Sequence, residues 1–294
     1  MQAKRVTFQR TALPLALLAP QLAVTGIFFL WPAYQAMRQS LYQEDAFGLK
    51  VVFSGLTNFY DLAVDPTYLA SLLTTLVFSL SVAAVSLSFG LLLAVLADGV
   101  GRGSKFYQLF LVWPYAVAPA VSGVLWVYMF DPSIGPITKL LRVVGIDWNH
   151  QIHSGQALAL IVMASCAKQI AYNFLFFLAG LQSIPKSLLE AAALDAAGPI
   201  RRFFTIQFPL LTPTSFFLLV VNMVYAFFET FGVIDATTYG GPGQSTNILV
   251  YRVFNDGFKN QRIGASAAES VVLLAIVAVF TFIQFRYVER KVEY

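Results

Sequence analysis

Long apolar stretches alternate with short polar ones along the whole chain, at about 13–34, 70–97, 107–130, 156–180, 210–234 and 266–288. Each reaches the roughly 20 residues that a helix needs to cross a hydrocarbon core. Their apolar character is continuous, unlike the residue-by-residue alternation of membrane-barrel strands. Backbone groups in lipid must bond within their own segment, so the pattern predicts an all-α polytopic membrane protein with six transmembrane helices. Pro14, Pro20 and Pro32 in the first stretch, and Pro114 and Pro119 in the third, predict kinks or irregular ends, because proline lacks the N–H. No internal repeat, low-complexity tract or soluble domain intervenes, so 1–294 reads as one transmembrane domain.

Composition strengthens that reading. The chain is 58% hydrophobic and 12% charged, against about 25% charged for a soluble domain, and its mean hydropathy is +0.70. An aqueous fold of this length could not hide so much apolar surface. Lys4, Arg5 and Arg10 precede the first stretch as they would a signal peptide. That stretch is longer than a usual signal core and no small-residue cleavage site follows, so a retained span is expected. Cys166 is the single cysteine, which excludes an intramolecular disulfide and a cysteine metal cluster. The two histidines, His150 and His153, read as solvated loop residues near Trp148 more readily than as metal ligands, and neither a metal nor a cofactor is expected.

Lysine and arginine in the connecting segments set the orientation. With the N-terminus inside, the inner face carries Lys4, Arg5, Arg10, Arg102, Lys105, Lys186, Arg201, Arg202, Arg286, Arg290 and Lys291, eleven in all. The outer face carries seven, and Lys168 lies within a span. Both termini and the segment 181–209 are therefore expected in the cytoplasm. The net charge of +4 follows from this bias and gives no reason to expect nucleic acid.

The segment 181–209 is too elaborate for a connector. Leu188, Leu189, Ala192 and Ala193 give a short helix one apolar face. Pro185 suits its first turn, and Ser187 with Glu190 has capping-box spacing. Gly198 and Pro199 are expected to end it, the glycine as a left-handed cap. Arg201 and Arg202 open a second short helix that Pro209 hands to the fifth span. Periodicity alone fits equally an amphipathic helix lying on the inner leaflet.

Glu190, Ala191, Ala192, Ile206 and Pro209 occupy the positions of a motif, Glu-Ala-Ala followed at fixed spacing by Gly, Ile and Pro, that resembles the ATPase-docking loop of ABC importer permeases. Ala196 stands where that family usually has glycine, with Asp195 beside it and Gly198 two residues later. Thr238-Tyr239-Gly240-Gly241-Pro242 with Thr246, Tyr251 and Phe258 is similar to a loop of carbohydrate-uptake permeases related to the maltose importer. Within that group, 114–119, 147–150, 172–177 and 284–289 resemble permeases of sn-glycerol-3-phosphate importers. The resemblance implies a type I importer fold in the bacterial inner membrane. It also implies a second permease subunit, two copies of an ATP-binding subunit, a periplasmic substrate-binding protein and a small-molecule substrate moved by alternating access. No Gly-x4-Gly-Lys-Ser/Thr phosphate loop is present, so the ATPase is expected on a separate subunit.

Ionisable groups within spans are costly, about 2.5–3.5 kcal/mol for a central lysine. Lys168 in the fourth span could pair with Glu229 in the fifth or Glu269 in the sixth and so set helix packing. Alternatively it faces a pathway and attracts a phosphate, with Tyr172, Asn173, Asn222 and Tyr225 as neutral donors nearby. An ion-coupled transporter using Lys168 and Glu229 would share the hydropathy but would leave the helix near 187–198 without a role. A membrane-embedded enzyme would need a catalytic His, Asp or Cys set that the chain lacks.

Overall fold

The computed structural model describes residues 12–44, 50–99 and 104–289. Lys4, Arg5, Arg10, Arg102, Arg290 and Lys291, which weigh in the charge bias, lie outside them. The first apolar stretch forms α1 (Pro14–Gln39). Its helix carries Pro20 and rewinds into a π turn at Gly26–Leu30, where Trp31 N–H donates to the Gly26 carbonyl. Pro32 follows at once and has no N–H to give back to the preceding turn, which accounts for the local rewinding. A short antiparallel hairpin, β1 (Tyr42–Glu44) with β2 (Val51–Phe53), pairs Tyr42 with Phe53 and Glu44 with Val51. The all-α reading does not anticipate this hairpin, whose strands are too short to show a period. Helix α2 (Thr57–Val64) leads into α3 (Pro66–Asp98), which Asp65 caps by accepting from Thr67 N–H at 2.8 Å.

The third apolar stretch is not one straight span. It divides into α4 (Ser104–Val112) and α5 (Pro119–Met129), bent by 102° with a 3-10 turn at Trp113–Ala116 between them. Pro114 and Pro119 cause the break, since neither can donate to the turn before it. Among the described residues, five helices are long and apolar enough to cross a membrane, and the bent pair makes six when taken as one span. Helix α6 (Pro136–Val143) packs Ile137 and Leu141 against Phe130, Trp148 and Leu160. Trp148 and His150 are buried there, with the Trp148 ring 4.9 Å from that of Phe130, so the expectation of a solvated loop residue fails for His150, while His153 is exposed. Burial lowers the His150 pKa against the pull of Asp131.

The core forms where α7 (Ser154–Ser183) crosses α3, the most extensive helix pair in the fold. Gly90 of α3 permits it: a Cβ there would come within 2.6 Å of Asn173 Cβ. After α7 come α8 (Lys186–Leu194) and α9 (Pro199–Arg202), then α10 (Thr212–Glu229). That span ends in a π turn at Tyr225–Glu229, its last residue five short of the expected helix end at 234, and Thr230 breaks it. A separate helix, α11 (Phe231–Thr237), packs instead on α5. Helix α12 (Leu249–Phe254) and α13 (Ile263–Glu289) complete the described residues.

Candidate functional site

Three places concentrate polar groups: a cavity between α7 and α10, a charged cluster at the hairpin end, and the α8–α9 arm at the other end. The cavity, about 300 Å³, is lined by Tyr115, Lys168, Gln169, Tyr172, Tyr225 and Glu229 with valines of α10. Lys168 and Tyr172 lie one helical turn apart on α7, so both face it. Tyr225 and Glu229 bound the π turn of α10, a local rewinding that often marks a functional position. Tyr115 comes from the break between α4 and α5. The Lys168 Nζ sits 5.6 Å from the ring centroid of Tyr115 and 5.6 Å from that of Tyr225, close enough for both ring faces to attract the ammonium. Tyr115, Tyr172, Phe176 and Phe217 continue as a chain of rings 5.7, 4.7 and 5.6 Å apart.

The ion pairs among the described residues all involve Arg252 or Arg262. Lys168 therefore pairs with neither Glu229 nor Glu269, and a packing role through an ion pair is not what the side chain does. Asn173 and Asn222 do not line the cavity. They bond each other reciprocally, Asn222 Nδ2 donating to Asn173 Oδ1 at 2.8 Å and Asn173 Nδ2 to Asn222 Oδ1 at 3.2 Å. Asn222 Nδ2 also donates to the Leu218 carbonyl, and both residues are fully buried. Of the residues singled out in the sequence, Lys168, Tyr172, Tyr225 and Glu229 line this one cavity, and Tyr115 and Gln169, which were not singled out, join them. The two prolines flanking Tyr115 were the available signal, because a broken helix can turn a side chain inward.

At the hairpin end, Arg252 of α12 ties three elements. Its Nε donates to Glu269 Oε1 of α13 at 2.7 Å, one terminal nitrogen to Asp65 Oδ2 at 2.7 Å and the other to Thr67 Oγ1 of α3 at 2.8 Å. Arg252 and Glu269 are both buried. Burial acts against the Arg252 charge, yet hydrogen bonds from it to Glu269 and Asp65 outweigh that and raise its pKa. Partial burial likewise pushes the Asp65 carboxyl up, and bonds from Thr67 and Arg252 more than reverse it, leaving its pKa lowered.

The α8–α9 arm is open. Helix α8 buries none of its residues, and Glu190, Ala191, Asp195, Ala196, Gly198 and Pro209 are exposed while Ala192 and Ile206 are half-buried. Leu194, Ile200 and Phe204 are 89%, 76% and 63% exposed, an apolar surface that no other described residue covers. Two local expectations change. No side chain caps α8: Pro185 is its N-cap, so the Ser187–Glu190 box is not formed. The left-handed cap is Ala196, at φ 56°, and not Gly198, which at φ −65° starts α9. Ala196 N–H donates to the Ala193 carbonyl and Ala197 N–H to that of Ala192, the Schellman pair of bonds. The helix thus turns at the position where the resembling permeases carry glycine.

Comparison with known proteins agrees with these features. Residues 86–294 match the family described as "Binding-protein-dependent transport system inner membrane component". The "sn-glycerol-3-phosphate transport system permease protein UgpA" of Brucella suis biovar 1 is 56% identical over 291 residues, 99% of each chain. Its namesake from Yersinia pseudotuberculosis serotype I is 56% identical over the full length of both. Among solved structures, a bacterial ABC transporter that imports the acidic polysaccharide alginate superposes with a TM-score of 0.83 at 20% identity, covering 97% of this chain and 98% of the other. A second alginate transporter structure, with an alginate pentasaccharide-bound periplasmic protein, has a TM-score of 0.80, 19% identity and coverages of 94% and 93%. The bent third span, the π-terminated fifth and the exposed arm are thus features of an integral inner membrane protein with the type I importer permease fold, and the chain belongs to the binding-protein-dependent permeases of ABC importers.

Proposed function

We propose that this chain is one half of the translocation pathway of an ATP-driven importer of sn-glycerol-3-phosphate. The observation that carries the substrate is full-length identity of 56% to permeases named for that compound. The cavity supports it, because Lys168 holds an ammonium free of any carboxylate partner at a cavity whose other polar groups are tyrosines, Gln169 and Glu229. A phosphate monoester entering low dielectric needs such a charged donor. Tyr172 and Tyr225 supply hydroxyls beside it, whereas Asn173 and Asn222 stabilise the α7–α10 contact behind the wall.

A single such chain encloses only half a pathway, so a second permease subunit completes it, two ATP-binding subunits drive it, and a periplasmic binding protein delivers substrate. Both termini and the α8–α9 arm lie on the cytoplasmic side, following the lysine and arginine bias. Glu190, Ala191, Ala192, Asp195, Ala196, Gly198, Ile206 and Pro209 form the handle by which the ATPase moves the bundle. ATP binding draws the arms together and opens the spans outward; hydrolysis returns them. The whole described chain works as one transmembrane domain.

Vesicles holding the complete complex should take up radiolabelled sn-glycerol-3-phosphate with ATP present and no ion gradient. Competition by maltose-type sugars instead of phosphate monoesters would assign a sugar or polyol, and uptake that follows an ion gradient would assign a secondary transporter. Cysteines at Ala192 or Ala196 should crosslink to the ATP-hydrolysing subunit; crosslinks only to outer components would reverse the orientation.

A further inference from the structure

Lys168 and Glu229 line one cavity of about 300 Å³ without pairing. This needs a cause. Opposite unit charges attract across several ångströms in a medium less polar than water, and a lysine stem of four carbons is flexible enough to follow. The counterforce comes from two ring faces, Tyr115 and Tyr225, each 5.6 Å from Nζ. Tyr225 is buried in the core and fixed, with Phe78, Ile161 and Cys166 in the same cluster. Tyr115 is different. It is 43% exposed and hangs from the 3-10 turn between α4 and α5, where the chain bends by 102°. Its ring is further held by Tyr172, 5.7 Å away.

We infer that Tyr115 is a positioning residue for anion transport: its ring holds the Lys168 ammonium away from Glu229 and so keeps the ammonium's donors for an incoming phosphate monoester. This rests on the reading of the cavity as part of a phosphate-ester pathway, and it adds a cause for the site's selectivity. Without the Tyr115 face, Lys168 closes onto Glu229, the pair neutralises itself, and an anion must break it to bind. Because Tyr115 belongs to the bent segment, the angle between α4 and α5 sets whether the clamp exists. Straightening that pair withdraws the ring and lets Glu229 compete, which would release a bound anion.

The test uses the complete complex in vesicles, with its binding protein and ATP, and radiolabelled sn-glycerol-3-phosphate. Tyr115→Leu, which keeps bulk and loses the ring, is expected to raise the half-saturating concentration about tenfold, with little change in maximal rate or in the amount of assembled complex. Tyr115→Phe, which keeps the ring, recovers most of that loss. In a Glu229→Gln background the same Tyr115→Leu change costs less than about twofold, since no carboxylate remains to capture Lys168. A loss equally large in both backgrounds, or no loss in either, overturns the inference. Lys168→Ala separates the two levels: if it lowers uptake while Tyr115→Leu does not, the pathway reading stands and the positioning role falls. If Lys168→Ala leaves uptake intact, the cavity is not the phosphate pathway and both fall. Should Tyr115→Leu impair assembly, Tyr115→Met, which also lacks a ring, is read in both backgrounds; a loss equally large in both, or none in either, is again the overturning result.

Discussion

Arg252 and Lys168 both sit among apolar helices, and they are treated in opposite ways. Arg252 is saturated: two carboxylates and a hydroxyl take its fork at 2.7–2.8 Å, and its partners come from α3 with its N-cap Asp65 and from α13. Lys168 has no carboxylate partner and is held only by ring faces at 5.6 Å. Arginine suits the first task because its planar fork meets several oxygens at once, and lysine the second because its point charge can turn to a newcomer. A fully satisfied buried cation fixes geometry. One left short of partners is available to a ligand. The contrast separates a strut from a candidate site, and variants should divide the same way.

The largest expected effect is at the strut. Arg252→Ala leaves Glu269 buried without its partner, and breaking a buried pair in this way costs about 3–5 kcal/mol. Thermal unfolding of the detergent-purified complex should show it, and Arg252→Met with Glu269→Leu should recover most of the loss because apolar packing replaces both charges. A melting point unmoved by Arg252→Ala would place the two cations in one class. Acid reaches the same cluster through Asp65. Its folded pKa is lowered, so the stability it adds is complete above the unfolded value near 3.9 and fades as pH falls through the folded one.

Lys168→Ala should do the reverse. With no ion pair to break, its unfolding free energy should stay within about 1 kcal/mol of the parent. Uptake of the phosphate ester should fall at least about tenfold, as expected from losing a charged hydrogen bond of about 1.5–3 kcal/mol. A smaller stability effect belongs to the amide pair behind the cavity. Asn173→Ala strips Asn222 of one partner in a fully buried setting and should cost about 1–2 kcal/mol, with transport affinity changed far less than by Lys168→Ala. If Asn173→Ala lowers affinity without lowering stability, the two amides belong to the pathway after all.

How far these roles were legible differs by scale. The spans were legible because apolar runs of membrane length have few other uses, and 70–97 and 156–180 fall within α3 and α7. The break in the third was half legible: Pro114 and Pro119 announce a lost N–H, but the 102° bend depends on α5 packing against α11. The stop at Thr230 had no proline to mark it. In the site, Lys168 stood out by its cost, and helical spacing brought Tyr172 with it. Tyr115 looked like one more aromatic residue in a membrane stretch. The Arg252–Glu269 pair was hidden because each charge lies near a span end, where an ionisable residue looks affordable without a partner.

The smallest effect probes the arm, where a residue-level expectation was displaced by two positions. Ala196 adopts φ 56°, which costs an L-residue with a Cβ about 1–2 kcal/mol, while glycine there would lose about 0.5–1 kcal/mol more chain entropy on folding. Ala196→Gly should therefore stabilise the end of α8 by roughly 0.5–1 kcal/mol, seen as slower hydrogen exchange at the Ala196 and Ala197 amides that close the Schellman turn. Gly198 sits at φ −65° with open space where a Cβ would go, so Gly198→Ala should leave those amides unchanged and be neutral or slightly stabilising. The opposite ranking, with Gly198→Ala exposing the turn and Ala196→Gly doing nothing, would return the cap to Gly198. Among the described residues the arm's backbone bonds are local and only the half-buried Leu189 of α8 touches the core, at a cluster distant from Arg252, so a change of this size should not reach Arg252.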